Sequence, residues 1–321
     1  MSKKIVIAKE SFDNYVDKVR EVAEPYGYTV VYEPRPLETG KHLADAEIVM
    51  GLGRKILDGT TEELKWVHAQ SAGVDWYLNS PYRPKHDVIL TNSAGGFGVG
   101  VGEHAVMMLL EVLRLNNDYQ ECVRKRIFRY DLPVRSIKDL DITILGTGDL
   151  GRCIAKRLRG FEPARITGVN VRGLDPEGLF DRIVTIDNVD SVLPETQTII
   201  LCMPGTPETK GFIDARRLAM LRSDAVIVNV GRGNAIVQAD LIDALKNGTI
   251  SGAALDVFEK EPLKEDDPIY DCPNLVMTPH VSGSIIMEHT LKRTCEIFCE
   301  ELANYLEGKP MGHIVDPEKG Y

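Results

Sequence analysis

Five short apolar runs in the first third of the chain predict buried β-strands: Ile5–Ala8, Thr29–Tyr32, Glu47–Met50, Trp66–His68 and Val88–Thr91. Between the first two runs, apolar residues recur with a helical period over Phe12–Tyr26, which predicts an amphipathic helix. Short strands that are separated by helices in this way predict a parallel sheet covered by helices.

A second series of strands follows a long helical pattern over residues 101–128. Its apolar runs are Asp141–Leu145, Arg165–Val169, Thr198–Cys202, Ala225–Asn229, Ser251–Leu255 and Leu275–Met277. A last helix is predicted over Ser284–Leu306. Because strands and helices alternate in both series, we predict an α/β fold with two doubly wound parallel-sheet domains.

Composition and charge exclude several classes of protein. At about 150 residues per domain, 321 residues suggest two domains. The 38 basic and 48 acidic residues give a net charge of −10, which argues against nucleic acid as a partner. No apolar stretch approaches the ~18 residues of a membrane span, and the N-terminus is typical of a first strand rather than a signal peptide. The six cysteines lack zinc-type spacing, so we expect no metal and a reduced, cytoplasmic protein.

The strongest local motif is the glycine pattern Gly146–Gly151, which follows an apolar strand and opens a helix. Gly146 allows a tight turn, Gly148 lets the backbone approach a pyrophosphate, and Gly151 lets the helix pack closely. The helix N-terminus offers free N–H groups to phosphates. We therefore predict dinucleotide binding, with cofactor contacts at Gly146, Gly148, Asp149, Leu150 and Gly151.

The end of the following strand bears on the choice between NAD and NADP. A dinucleotide site usually has a carboxylate there that binds the ribose hydroxyls, but this chain has Asn170 and then Arg172. Asn170 can hydrogen-bond a ribose, and Arg172 can hold a 2′-phosphate, which favours NADP over NAD. The alternative is that Arg172 is a solvated turn residue and that Asp175 contacts the ribose.

Three further polar residues follow the far ends of predicted strands, where doubly wound sheets bind ligands. They are Arg232, Glu261 and His280. Each alone is more often a surface or structural residue. Together they suit hydride chemistry on a 2-oxo acid, because arginine holds a carboxylate, histidine donates a proton, and a carboxylate beside it favours the imidazolium.

With these motifs in place, the chain resembles the D-isomer-specific 2-hydroxyacid dehydrogenases over essentially its full length. The resemblance rests on Ser71–Asp75, Gly146–Gly151, Leu201–Pro204, Val228–Gly233, Leu255–Pro262 and Thr278–Ser282. It implies a Rossmann cofactor domain at 99–285, inserted in a flavodoxin-like substrate domain formed by 1–98 and 286–321. It also implies a homodimer.

The resemblance assigns roles to individual residues. Arg232 binds substrate, His280 is the acid/base, and Glu261 is its partner. The backbone at Ala72 and Gly73 receives the substrate carboxylate. Further cofactor contacts are expected at three positions: Pro204, Val230 and Asp256. His104, in the predicted long helix, is interpreted as structural rather than as a second acid.

The sequence therefore predicts an NAD(P)-dependent oxidoreductase that acts on a small 2-oxo or D-2-hydroxy acid. The segment around Asn170 and Arg172 resembles the NADP-using glyoxylate and hydroxypyruvate reductases more than the NAD-using lactate enzymes. One alternative is a non-catalytic nucleotide-sensing protein on the same fold. Another is a different reaction on this scaffold, such as oxidation of phosphite or 3-phosphoglycerate.

Overall fold

The computed structural model of the protein describes residues 3–317, apart from the side chains of residues 36, 37 and 54. The chain divides into two compact units. The split unit comprises Met1–Phe97 and Ser284–Tyr321, and the inserted unit comprises Gly98–Gly283.

The strands are β1 (Lys3–Ala8), β2 (Tyr28–Glu33), β3 (Ile48–Gly51), β4 (Trp66–Ala69), β5 (Ile89–Asn92), β6 (Asp141–Leu145), β7 (Arg165–Asn170), β8 (Arg182–Thr185), β9 (Thr198–Leu201), β10 (Val226–Asn229), β11 (Gly252–Leu255) and β12 (Leu275–Met277). The α-helices are α1 (Asp13–Ala23), α2 (Asp75–Leu78), α3 (Gly98–Leu113), α4 (Asn116–Arg124), α5 (Asp149–Leu158), α6 (Ala215–Met220), α7 (Gln238–Lys246) and α8 (Glu288–Leu306). Short 3-10 helices span Glu24–Tyr26, Pro36–His42, Arg54–Leu57, Arg159–Phe161, Ile186–Ser191, Leu193–Glu195, Gly233–Ala235 and Pro268–Asp271.

The split unit contains a parallel sheet in the order β2-β1-β3-β4-β5, which is the flavodoxin-like order. Alternate strand residues point to opposite faces, so Ile5 and Ile7 pack on the side of α1 and α8. On that side the Trp66 ring lies 5.3 Å from the rings of both Phe298 and Tyr305. The returning C-terminal segment therefore completes the core of the first sheet.

The inserted unit contains a parallel sheet in the order β12-β11-β10-β9-β6-β7-β8. The order reverses between β6 and β9, as in a Rossmann fold, and the loops after these two strands are where such sheets bind dinucleotides. Strands β9, β10 and β11 are buried at every position. Helices cover both faces of such a sheet, which is why these strands are continuous apolar runs.

The predicted fold class is confirmed, because both units are α/β and both sheets are parallel. Two details of the prediction were wrong. The sequence analysis missed β8, whose only fully buried residue is Val184 and which therefore lacks an apolar run. The single helix predicted over 101–128 is two helices, because Leu115 adopts a left-handed φ of 50° between α3 and α4.

No helix within residues 3–317 is both long enough and apolar enough to cross a membrane.

Candidate active site

The turn after β6 has the geometry that a pyrophosphate requires. Gly146 has a φ of +97°, which a residue with a side chain rarely adopts. A Cβ at Gly151 would overlap the carbonyl oxygen of Gly146, whereas a Cβ at Gly148 would meet no atom within 4 Å. The glycines therefore provide a tight turn, close helix packing and open space above the backbone, which fits a bound dinucleotide.

Helix α5 starts in this turn, and no side chain of the described residues caps its N-terminus. The Asp149 carboxylate is turned toward the start of α3, where a Cβ on Gly98 would lie 2.7 Å from its Oδ2 atom. This oxygen is buried and has no hydrogen-bond partner among residues 3–317. The groups that Asp149 and the partly buried Leu150 offer to a phosphate are therefore their backbone N–H groups, and the negative charge of Asp149 is directed elsewhere.

The end of β7 is organised by the side chain of Asn170. Its Oδ1 atom accepts the backbone N–H groups of Arg172 at 2.9 Å and Gly173 at 2.6 Å, and its Nδ2 atom donates to Thr147 at 2.7 Å. Arg172 is exposed, and its guanidinium has no hydrogen bond or ion pair with any described residue. Asn170 therefore shapes the turn, and Arg172 is available for an anion.

The alternative ribose ligand is Asp175. Its Oδ2 atom accepts the backbone N–H of Phe180 at 2.9 Å, so this carboxylate stabilises its own loop. Two of the three further cofactor contacts predicted from the resemblance lie nearby in the sheet order: Pro204 is exposed after β9, and Val230 is buried after β10. As cofactor contacts, Asp175, Pro204 and Val230 remain predictions.

Arg232 is positioned by the turn that follows β10. The buried Asn229 side chain donates to the carbonyl of Arg232 at 3.0 Å and accepts from the N–H of Gly231 at 3.1 Å. A Cβ at Gly233 would overlap the backbone of Phe258, so this turn packs directly on the loop that carries Glu261.

His280 and Glu261 form an ion pair, with 2.7 Å between Nδ1 and Oε2. The other carboxylate oxygen of Glu261 accepts the backbone N–H of Phe258 at 2.9 Å, which fixes the carboxylate. The hydrogen bond to Glu261 raises the pKa of His280 above its ordinary value, against the effects of burial and of the Arg232 charge. Burial alone would raise the pKa of Glu261, but the His280 and Phe258 hydrogen bonds hold it below its usual range.

The buried Asp256 carboxylate folds back onto the loop that carries His280. It accepts hydrogen bonds from the Thr278 hydroxyl at 2.7 Å and from the backbone of Val281 at 2.9 Å and Ser282 at 3.0 Å. Burial opposes ionisation, but these donors keep the pKa of Asp256 below its usual range. Asp256 is fully buried, and its contact with a cofactor remains a prediction.

A cavity of about 640 Å³ adjoins the His280–Glu261 pair. It is lined by Phe258, Glu261, Pro262, Leu263, Tyr270, Met277, Thr278, Pro279 and His280. Its apolar wall beside a charged pair is typical of small-molecule sites.

In the split unit, the predicted carboxylate loop follows β4. The carbonyl of Ala72 accepts from the Asn92 side chain at 2.9 Å, and the carbonyl of Gly73 accepts from the Ser71 hydroxyl at 2.5 Å. The N–H groups of Ala72 and Gly73 donate to no acceptor among the described residues. They are therefore the groups of this loop that are available to an anion.

Comparison with known proteins identifies the family. Residues 106–282 match the family model for the NAD-binding domain of D-isomer specific 2-hydroxyacid dehydrogenases. The chain is 30% identical to a glycerate dehydrogenase of Methylorubrum extorquens, over 98% of this chain and 99% of that protein. The chain belongs to the D-isomer specific 2-hydroxyacid dehydrogenase family.

Solved structures agree with this assignment. A D-isomer specific 2-hydroxyacid dehydrogenase family protein from Aeromonas salmonicida has a TM-score of 0.87 and 28% identity, covering 99% of this chain and all of that one. An NADPH-dependent glyoxylate/hydroxypyruvate reductase from Sinorhizobium meliloti, solved with NADP and sulfate, has a TM-score of 0.82 and 27% identity, with the same coverage. This dehydrogenase is thus an NAD(P)-dependent oxidoreductase of 2-hydroxy acids, as its sequence predicted.

Sequence reasoning missed two polar residues that build the site of this dehydrogenase. Asn229 fixes the Arg232 turn, and Thr278 joins Asp256 to the His280 loop. Asn229 is the last residue of β10 and Thr278 directly follows β12, and each lies a few residues before a predicted site residue, Arg232 or His280. Their position at strand ends is the sequence feature from which a role in the site could have been predicted.

Proposed function

We propose that this dehydrogenase reduces a small 2-oxo acid, of the size of glyoxylate or hydroxypyruvate, to the D-2-hydroxy acid with NADPH. The observation that carries the proposal is the 2.7 Å His280–Glu261 ion pair, which lies beside the Arg232 turn in the unit that holds the dinucleotide turn. The similarity to a glycerate dehydrogenase of Methylorubrum extorquens and to a glyoxylate/hydroxypyruvate reductase of Sinorhizobium meliloti supports this substrate class.

Each residue of the proposed active site has a separate task. When bound, the reduced nicotinamide cofactor supplies the hydride for the carbonyl carbon of the substrate. His280, as an imidazolium, gives its proton to the carbonyl oxygen. Glu261 favours the protonated form of His280, because its negative charge stabilises the imidazolium. Arg232 binds the substrate carboxylate and polarises the carbonyl, and the amides of Ala72 and Gly73 receive the carboxylate.

The preference for NADPH rests on the end of β7. A carboxylate there would bind the ribose 2′-hydroxyl of NAD and repel a 2′-phosphate. This chain has Asn170, whose acceptor atom is already used by the turn, and the exposed guanidinium of Arg172 follows it. Arginine matches phosphate geometry, so we assign Arg172 to the 2′-phosphate.

We assign the pyrophosphate to the backbone of the turn and of the first residues of α5: Gly146, Gly148, Asp149, Leu150 and Gly151. The open space above Gly148 and the free amides of α5 support this assignment. Pro204, Val230 and Asp256 stay predictions as further contacts.

A homodimer and a cytoplasmic location are also part of the proposal. The homodimer is supported by an apolar segment that extends beyond α4. Phe128 is 96% exposed and Tyr130 is 85% exposed, which is unusual for side chains of this size. Sedimentation equilibrium of the wild type and of a Phe128→Ser variant tests it, and a wild type that sediments as a monomer contradicts it.

The proposed reaction is tested with a substrate panel. Glyoxylate, hydroxypyruvate, pyruvate and phenylpyruvate are each offered with NADPH and with NADH, and product chirality is determined by chiral chromatography. We expect turnover with the smaller acids, a preference for NADPH, and the D product where the product is chiral. The absence of turnover with every acid, with NADPH still bound, would favour a nucleotide sensor, and an L product would contradict the proposed D specificity.

A further inference from the structure

We propose that His104 is a positioning residue for proton transfer. Its hydrogen bond to Thr278 helps to fix the turn on which His280 lies. The inference rests on the proposed function in one respect, which is that it takes His280 as the proton donor. His104 lies in α3, far from His280 in sequence, and the motifs that suggested the active site do not include it.

Hydrogen-bond directions link His104 to the buried carboxylate. The Thr278 hydroxyl lies 2.7 Å from Asp256 Oδ1, and an ionised carboxylate only accepts, so the single hydroxyl proton of Thr278 goes there. The same hydroxyl oxygen lies 2.9 Å from His104 Nε2, so it must accept from that nitrogen. His104 therefore carries a proton on Nε2 and donates into the network.

The turn that receives this hydrogen bond is strained. His280 has a φ of 53°, a left-handed conformation that a residue with a side chain rarely adopts. Its N–H donates to the carbonyl of Asp256 at 2.8 Å, and the Asp256 carboxylate accepts the N–H groups of the next two residues. Asp256 thus holds the turn from both sides, and Thr278 fixes the orientation of the Asp256 carboxylate.

The imidazole of His104 lies in a largely buried environment, where a polar side chain is costly unless it makes a hydrogen bond. The His104 side chain is 15% exposed and its neighbours in α3 at Val101, Ala105 and Met108 are buried. A leucine would pack in such a place without the cost of removing an imidazole from water. The imidazole instead lies 3.7 Å from Asp256 and 2.9 Å from Thr278, so its contribution is a directed hydrogen bond.

The test compares His104→Leu, which removes the donor, with His104→Gln, whose amide nitrogen can replace Nε2. Glu103→Gln is the matched control, because this adjacent side chain is exposed and pairs with Arg157 at 3.4 Å instead. With glyoxylate and NADPH, we expect His104→Leu to lower kcat about tenfold, the loss expected for one network hydrogen bond, with KM changed less than about twofold. His104→Gln should recover most of kcat, and Glu103→Gln should match the wild type.

Equal kcat values for the leucine and glutamine variants would overturn the inference, as would a loss confined to NADPH affinity. If His104→Leu does not fold, Thr278→Val and Thr278→Ser make the same comparison at the other end of the hydrogen bond. The serine keeps the hydroxyl and should retain kcat, whereas the valine should lower it.

A second readout does not depend on turnover. The ring carbon resonance of His280 is followed by NMR against pH, with His280→Asn used to assign it. Glu261 and Asp256 both raise the pKa of His280, and the Arg232 charge lowers it. A loosened turn weakens the contact with Glu261, the largest of these effects, and should therefore lower the pKa of His280 in His104→Leu. An unchanged pKa overturns the inference even if the wild type is inactive with every acid, in which case the proposed function fails separately.

Discussion

Replacing Glu261 with glutamine should change the pH dependence of catalysis in a defined direction. The carboxylate charge lies next to the His280 ring, with 2.7 Å between the bonded atoms and about 4 Å between the centres of charge. The side chains of His280 and Glu261 are 52% and 34% exposed, so solvent screens the pair and an effective dielectric constant of roughly 40–80 applies. The pair then stabilises the imidazolium by about 1–2 kcal/mol, which corresponds to roughly a tenfold change in the protonation equilibrium of His280.

The sign of the effect follows from the protonation state that reduction needs. Glu261 raises the pKa of His280, so its loss lowers that pKa. Reduction of the 2-oxo acid needs the imidazolium and is lost as pH rises through the pKa of His280. The basic limb of kcat/KM should therefore move toward lower pH in Glu261→Gln. Well above the pKa of His280 the variant should be about tenfold slower, and well below that pKa it should approach the wild type.

The assay is kcat/KM for glyoxylate with saturating NADPH, measured across the range from mildly acidic to mildly basic pH. Glu265→Gln is the control, because it removes the same charge from an exposed side chain of the same loop region. An unmoved basic limb, or one that moves toward higher pH, would refute the electrostatic coupling between Glu261 and His280.

Three further predictions test separate parts of the structure. Arg172→Ala should raise KM for NADPH by about ten- to hundredfold, as expected for the loss of one charge-assisted contact to phosphate, and leave KM for NADH within about twofold. Equal effects on the two KM values would show that Arg172 does not bind the 2′-phosphate. Gly151→Ala should abolish NADPH binding measured by fluorescence, since its Cβ overlaps the Gly146 carbonyl, and retained affinity would contradict this packing. Burial lowers the pKa of Lys9 to about 7, so protonation of this amine at lower pH reduces the free energy of unfolding. Lys9→Met should therefore raise the free energy of unfolding in urea, and this gain should be larger near pH 6 than above about pH 10, by roughly 2–4 kcal/mol. A gain that does not depend on pH would contradict this prediction.

The sequence predicted the sheets well because their strands are short, continuous apolar runs that are buried on both faces. Strand β10 is an example, since every residue of Val226–Asn229 is buried. Strand β8 shows the limit, because it lies at the edge of the sheet and only Val184 is fully buried. An edge strand needs no apolar run, so its pattern does not separate it from a loop.

The candidate site was predicted by position rather than by geometry. Placing Arg232, Glu261 and His280 after strand ends used a general property of parallel sheets. The pattern could not show that Asp256 turns inward and binds the amides after His280. Whether a polar side chain at a strand end points to a ligand or folds back depends on the hydrogen bonds of the next loop. Asn170 illustrates this, since its acceptor atom binds its own turn.

The most direct test of the central claim, that His280 donates the proton during reduction of a 2-oxo acid, is the turnover of His280→Ala with glyoxylate and NADPH. The account predicts that kcat falls by about a hundredfold to ten-thousandfold, the usual contribution of a general acid, while the Kd for NADPH stays within about threefold of the wild type. Turnover at the wild-type rate would contradict it.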